Sequence, residues 1–162
     1  MTYKLNSDTG TPQAPTRSSQ ATEVAVAVIF RRVQRGNYDV LVALRNVDAT
    51  RGNLWEFPGG KVEPHESLVH AAQREAHEEL AIELSGGTYF GSVRDEDLTQ
   101  PREHVVVLHA IAFDVTDQEL APQARASQEV RWIGLHEVET LSWPRANEGV
   151  FDAFKTWLEL NR

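Results

Sequence analysis

The sequence predicts an α+β domain in which a mixed β-sheet is held between α-helices. Three observations carry this. Runs rich in β-branched and apolar residues outnumber helical patterns. These runs arrive both in hairpin order and on either side of a long amphipathic stretch, so antiparallel and crossover connections coexist. The chain has 162 residues, of which 41% are hydrophobic, enough for one self-sufficient core.

The elements follow in chain order. Residues 6–20, NSDTGTPQAPTRSSQ, have no apolar period, and residues 1–21 are expected to be a flexible arm ahead of a domain spanning 22–162. TEVAVAVIF (22–30) has the composition of a strand buried on both faces. RGN (35–37) signals a hairpin and YDVLVALR (38–45) the returning strand. A polar loop (46–53) leads to a short strand, LWEF (54–57), stopped by Pro58. Residues 66–80 read as a helix that docks through Val69, Ala72, Ala76 and Leu80. GGTYFGSV (86–93) begins another strand, DEDLTQPRE (95–103) reads as a loop, and HVVVLHAIAFDV (104–115) is the longest strand. EVRWI (129–133) is a further strand, followed by a short helix through LHEVETL. An amphipathic helix over 146–160 presents Val150, Phe151, Phe154, Trp157 and Leu158 on one face.

Bulk properties narrow the function. No cysteine is present, which excludes disulfides and thiolate metal sites and fits a cytoplasmic setting. There is no apolar run of signal-peptide or membrane-span length, so no membrane partner is expected. The formal net charge of −8 argues against binding a nucleic-acid polymer. An acidic protein that handles anionic substrates needs a local cationic device, such as a metal ion.

PGGK (58–61) and EAHEE (75–79) are the two stretches that cost stability where they stand. PGGK reads as a turn with no side chain at two successive positions, and bare glycine loses more conformational freedom on folding than any other residue. Glu75, Glu78 and Glu79 share one edge of the helix near its C-terminus, where like charges repel and the macrodipole disfavours anions. Alone, the cluster reads as a solvated acidic face or as oxygen donors for Mg²⁺ or Mn²⁺. Other motifs fail. HEEL (77–80) lacks the second histidine of a zinc protease, GGK lacks the upstream glycine of a P-loop, and no G-x-S-x-G occurs. His70 and His77 read as helix-surface residues.

Gly60, Glu66, Arg74, Glu75, Glu78 and Glu79 together fit G-x5-E-x7-R-E-x2-E-E. On this pattern the chain resembles the Nudix hydrolase family over about residues 22–160. The resemblance implies a Nudix fold. It implies that Glu75, Glu78, Glu79 and the Gly60 carbonyl hold a divalent metal, Mg²⁺ with Mn²⁺ as substitute. It further implies that Glu75 helps activate water and that Glu66 and Arg74 pair. One position departs: Ala81 stands where the family has glycine, which is expected to move the helix end toward Gly86–Gly87.

The flanks resemble the MutT-like subgroup, which implies hydrolysis of a nucleoside triphosphate to monophosphate and pyrophosphate. An oxidised purine such as 8-oxo-dGTP is the favoured substrate. NLWEFPGGKVE (53–63) and WPRANEGV (143–150) carry this likeness. By position Asn147 reads the base, although it could instead cap the last helix. Arg45 reaches phosphate or forms a surface ion pair, and Lys61 is a further phosphate candidate. Phe57 faces the core or the base, while Trp55 reads as core. The auxiliary glutamate of the subgroup is replaced by Ala126, with Glu129 as a possible substitute acid. The rival activities are a pyrimidine triphosphate pyrophosphohydrolase, another nucleoside-diphosphate-X hydrolase and a non-catalytic nucleotide-binding domain. The nucleotide is the expected partner, and the chain is expected to act as a monomer or homodimer.

Overall fold

A fork between two strands organises the sheet. The computed structural model describes residues 21–97 and 104–161. Strand β1 (Thr22–Gln34) pairs in parallel with β6 (His104–Asp114) from Thr22 to Phe30. Its other edge is divided. Phe30–Gln34 pair antiparallel with β2 (Asn37–Leu44), whereas Val24–Val26 pair antiparallel with β4 (Gly59–Lys61). β2 takes β7 (Glu129–Gly134) along one edge and β3 (Trp55–Glu56) at the end of the other. Beyond the Phe30–Val40 pair, therefore, β1 and β2 diverge. Residues 55–61 cross the gap, paired to β2 at one end and to β1 at the other.

Helix α1 (Leu68–Leu80) packs on one face of the sheet and α2 (Arg145–Leu160) on the other. Strand β5 (Thr88–Asp97) closes the edge beside β6. The period-2 alternation of β1 sorts the cores. Val26, Val28 and Phe30 join α2, while Ala25, Ala27 and Ile29 join α1. α2 buries Val150, Phe151, Phe154 and Leu158, each worth roughly 1.5–3 kcal/mol of transfer free energy. Phe154 stacks on Trp157 and meets Phe30 and Phe90 at a tilt, fixing the helix in rotation.

The differences from the expected elements have local causes. β5 runs to Asp97, three residues into the segment expected as a loop from 95, because Asp95, Glu96 and Asp97 complete a ladder with Val106, Val105 and His104. Backbone pairing there overrides a polar composition. β4 reads as a turn in sequence but is a strand, since bare glycine lets the chain run against β1: a Cβ on Gly59 would overlap the Ala25 carbonyl. LHEVETL forms only a 3-10 turn, Val138–Thr140. In α1, Ala71 is buried while Val69 is only partly so. The arm expected at 1–21 falls, but for its last residue, on residues 1–20, outside the described residues. Among those described, no helix is long and apolar enough to cross a membrane.

The end of α1 corrects the expectation for Ala81. The helix stops at Leu80, and Ala81 itself turns left-handed at φ 57°, ψ 33°, its N–H donating to the His77 carbonyl at 3.0 Å. Alanine thus adopts the conformation glycine would favour and bears the strain of it. Ala81→Gly is expected to stabilise the protein by about 1 kcal/mol. Thermal unfolding should then move up by roughly 2–4 °C; an unchanged or lowered midpoint would contradict a strained cap.

Candidate active site

Arg74 is the hub from which the acidic site is built. Ser67 caps α1, its Oγ accepting from the His70 N–H at 3.1 Å, and this starts the helix so that Arg74 faces the loop after β4. The guanidinium grips Glu66 as a fork, Nε to Oε1 at 2.8 Å and Nη2 to Oε2 at 3.0 Å. Nη2 also donates to the Lys61 carbonyl at 3.0 Å, and Nη1 to Glu75 Oε1 at 2.7 Å. One side chain thereby ties the loop to the helix and orients Glu75. The hydrogen bonds from Arg74 hold the Glu66 carboxyl below the usual carboxylate range.

Glu75 lies against bare backbone. A Cβ on Gly60 would overlap its carboxylate, so glycine is what lets the acid approach β4. One turn on, Glu79 is partly buried and its carboxyl is pushed up to about 8. Burial is the largest cause, followed by the negative charges of Glu75 and Glu56, and the Gly59 amide offsets only part of it. Glu78 turns outward with its side chain 56% exposed, 3.4 Å from Arg74 Nη1. The third carboxylate beside Glu75 and Glu79 is therefore Glu56. Burial raises its pKa, against the lowering by its hydrogen bond to Arg45.

Glu56 was not singled out in the sequence. The available signal was its position between Trp55 and Phe57: alternation places it opposite the buried Trp55, on the side of α1. Arg45 holds it at 2.6 Å through Nη1 and donates through Nε to the Thr50 carbonyl at 2.9 Å. Glu129 stands elsewhere. It is bound by Arg131 at 2.7 Å, on β7 opposite Leu44, and does not line the cavity.

A cavity of about 810 Å³ opens at the fork. Val24, Val26, Phe57 and Leu108 make an apolar wall, with Asn147 beside them. Arg45, Arg51, Lys61, Glu56 and Gly60 make the polar end. Phe57 is buried and packs on Trp143 with ring centroids 5.2 Å apart.

Asn147 is the only buried polar residue among those described. It does not cap α2, whose N-cap is Pro144. Its Oδ1 accepts from the Phe57 N–H at 3.1 Å. That amide sits where the crossing chain has left β2 and not yet joined β1, so no strand can satisfy it. Because the partner is an N–H, the oxygen of the amide must point to it, and Nδ2 is left as the free end. Among the described residues Nδ2 makes no hydrogen bond.

These residues fit a hard divalent cation. The donors are all oxygen, burial and the neighbouring acids raise the Glu79 carboxyl in the absence of a cation, and Gly60 leaves the space that a side chain would fill. Among the described residues no three acidic or histidine side chains have already converged as a ligand set. Glu78 faces out, and Arg74 engages one oxygen of Glu75.

Comparison with known proteins agrees with this geometry. The NUDIX domain model matches residues 21–154. CTP pyrophosphohydrolase of Escherichia coli K12 is 36% identical over 124 residues, covering 76% of this chain and 82% of that protein. The 8-oxo-dGTP diphosphatase of the same organism is 29% identical over 133 residues, 82% of this chain and 95% of that one. The solution structure of the E. coli ORF135 protein superposes with a TM-score of 0.70 at 31% identity, covering 88% and 94%. With its helix-borne acids, its glycine pair and a match over most of its length, the chain belongs to the NUDIX domain family and is a Nudix hydrolase.

Proposed function

We propose that the chain hydrolyses a nucleoside triphosphate to the monophosphate and pyrophosphate, with an oxidised guanine such as that of 8-oxo-dGTP as the favoured base. The observation that carries the base is Asn147. With Oδ1 committed to Phe57, the atom left for a ligand is a donor. Guanine-type bases offer a carbonyl acceptor at O6, whereas cytosine and adenine offer an amino donor at the matching exocyclic position. Donor facing donor leaves both unpaired, which costs about 1–3 kcal/mol.

The base lies along Phe57, Val26 and Leu108, and the phosphates reach Arg45 and Lys61. Glu75, Glu79 and the Gly60 carbonyl would hold the divalent metal, with Glu56 and Glu78 completing the acidic surroundings; Mg²⁺ is the proposed ion and Mn²⁺ its substitute. The ion, when bound, supplies charge neutralisation and a more acidic water. Glu66 and Arg74 act by position, since they hold Glu75 in place. Glu75 takes the proton of the attacking water, and the bond to the leaving pyrophosphate oxygen breaks. Glu129 remains a distant candidate for any auxiliary acid, and Glu56 is the better placed of the two. A cytoplasmic setting accords with the free nucleotide pool and with a chain that has no cysteine.

A second reading, a CTP-type pyrophosphohydrolase, is favoured by the 36% identical relative of that name. A panel of 8-oxo-dGTP, dGTP, CTP and dCTP with Mg²⁺ decides between them. The expected kcat/KM for 8-oxo-dGTP exceeds the others by about tenfold or more. CTP leading the series would overturn the base assignment, and no hydrolysis of any nucleotide would overturn the reaction.

A further inference from the structure

An ion pair joins Arg51, at the polar end of the cavity, to Asp95, a lining residue that the proposed reaction does not use. Arg51 Nη1 lies 3.3 Å from Asp95 Oδ2, and both residues line the cavity. Arg51 belongs to the turn after β2, and Asp95 to β5, opposite Val106 of the cavity wall. The pair is the bridge between two elements that are not neighbours in the sheet.

The turn holds Arg51 in an unusual conformation. Arg51 and Asn53 are both left-handed, at φ 58° and 60°, a region that residues with a Cβ enter at a cost. The surrounding bonds enforce it. Gly52 N–H donates to the Ala49 carbonyl at 2.9 Å, Asn53 N–H to the Arg45 carbonyl at 3.2 Å, and Gln128 Nε2 to Asn53 Oδ1 at 2.7 Å. A Cβ on Gly52 would overlap the carbonyls of Asn46 and Val47, so the turn closes tightly behind Arg51. The backbone is thus fixed, and the long side chain is the part that can move.

The ion pair itself is weak. The Arg51 side chain is 46% exposed, and pairs of this kind contribute roughly 0–1 kcal/mol. A triphosphate entering the cavity brings several negative charges and more acceptor oxygens than one carboxylate, and arginine binds phosphate as a fork. We propose that Arg51 is a substrate-positioning residue for which Asp95 and the triphosphate compete. Asp95 holds Arg51 across the empty mouth. The triphosphate draws it away, and Asp95 takes it back once only a monophosphate remains. Asp95 then sets a small penalty on binding that discriminates a highly charged substrate from its product. This rests on the nucleotide reading above.

The test uses Arg51→Gln, Asp95→Asn and the double variant, each with a thermal midpoint to show folding. KM for the preferred triphosphate and Kd for its α,β-methylene analogue and for the monophosphate are measured at two salt concentrations. Arg51→Gln should raise KM by about tenfold. Asp95→Asn should lower it by about threefold and tighten the monophosphate as well. The double variant should match Arg51→Gln, since Asp95 acts only through Arg51. A bridge that merely braces the mouth predicts the same sign for both single variants. KM raised by Asp95→Asn, or unmoved by either, overturns the competition while leaving the hydrolase reading intact. A wild type that neither binds nor hydrolyses any triphosphate overturns that reading instead.

Discussion

Glu79→Gln stabilises the metal-free protein and at the same time lowers hydrolysis by at least about 100-fold. The two effects have one origin. In the fold the Glu79 carboxyl is pushed up to about 8, whereas in the unfolded chain it ionises in the ordinary carboxylate range. Between those values the folded state retains a proton that the unfolded state has released. Stability contributed by this group is therefore greatest at low pH, falls as pH rises from about 5 toward 8, and levels off above. Glutamine has the same shape and no charge, so it lacks that slope. In EDTA, the unfolding midpoint of the variant should exceed that of the wild type by a margin that grows from pH 5 to pH 8. Saturating Mg²⁺ should raise the wild type more than the variant. A midpoint difference independent of pH would mean that Glu79 is not the buried acid the geometry describes.

Asn147 offers the second large effect, because its two ends are separable by substitution. Asn147→Asp keeps an oxygen for the Phe57 N–H and replaces the free donor by an acceptor. Asn147→Ala removes both. The alanine variant should lose about 1–3 kcal/mol of stability, since the Phe57 amide is left buried and unpaired. The aspartate variant keeps the acceptor for the Phe57 N–H but adds the cost of a buried carboxylate, and kcat/KM for 8-oxo-dGTP should fall by about 10–100-fold. Nucleotides that present an amino donor, CTP among them, should fall less or rise. Equal losses for every nucleotide in both variants would reduce Asn147 to a support for the crossing chain.

The acidic box was legible in the sequence because it is a matter of spacing. A helix places residues three and four apart on one edge whatever surrounds it, so Glu75, Glu78 and Glu79 could be grouped without a structure, and the resemblance to the family paired Arg74 with Glu66. Even there, one detail escaped: Glu78 turns out, because the arc it occupies leans toward solvent and Arg74. Strands β1, β2, β6 and β7 were legible from composition. Strand β4 was not, because Gly-Gly-Lys has no strand propensity and is a strand only for want of side chains. The fork was equally hidden. Which stretch of β1 pairs with β2 and which with β4 depends on where two ladders part, and no local pattern encodes that. Glu56 and the second role of Asn147 follow from the fork and share its obscurity.

The segment that crosses the fork has two masters. Glu56 stands opposite Ala43 on one ladder, and Gly59 opposite Val26 on the other, with Phe57 and Pro58 between. One residue more or fewer in that span would slip one ladder by a step and turn its side chains to the wrong face. Residues 55–61 are therefore open to exchange of letters but closed to change of length. This stretch acts as a gauge block that sets the distance between the acids of α1 and Asn147 of α2.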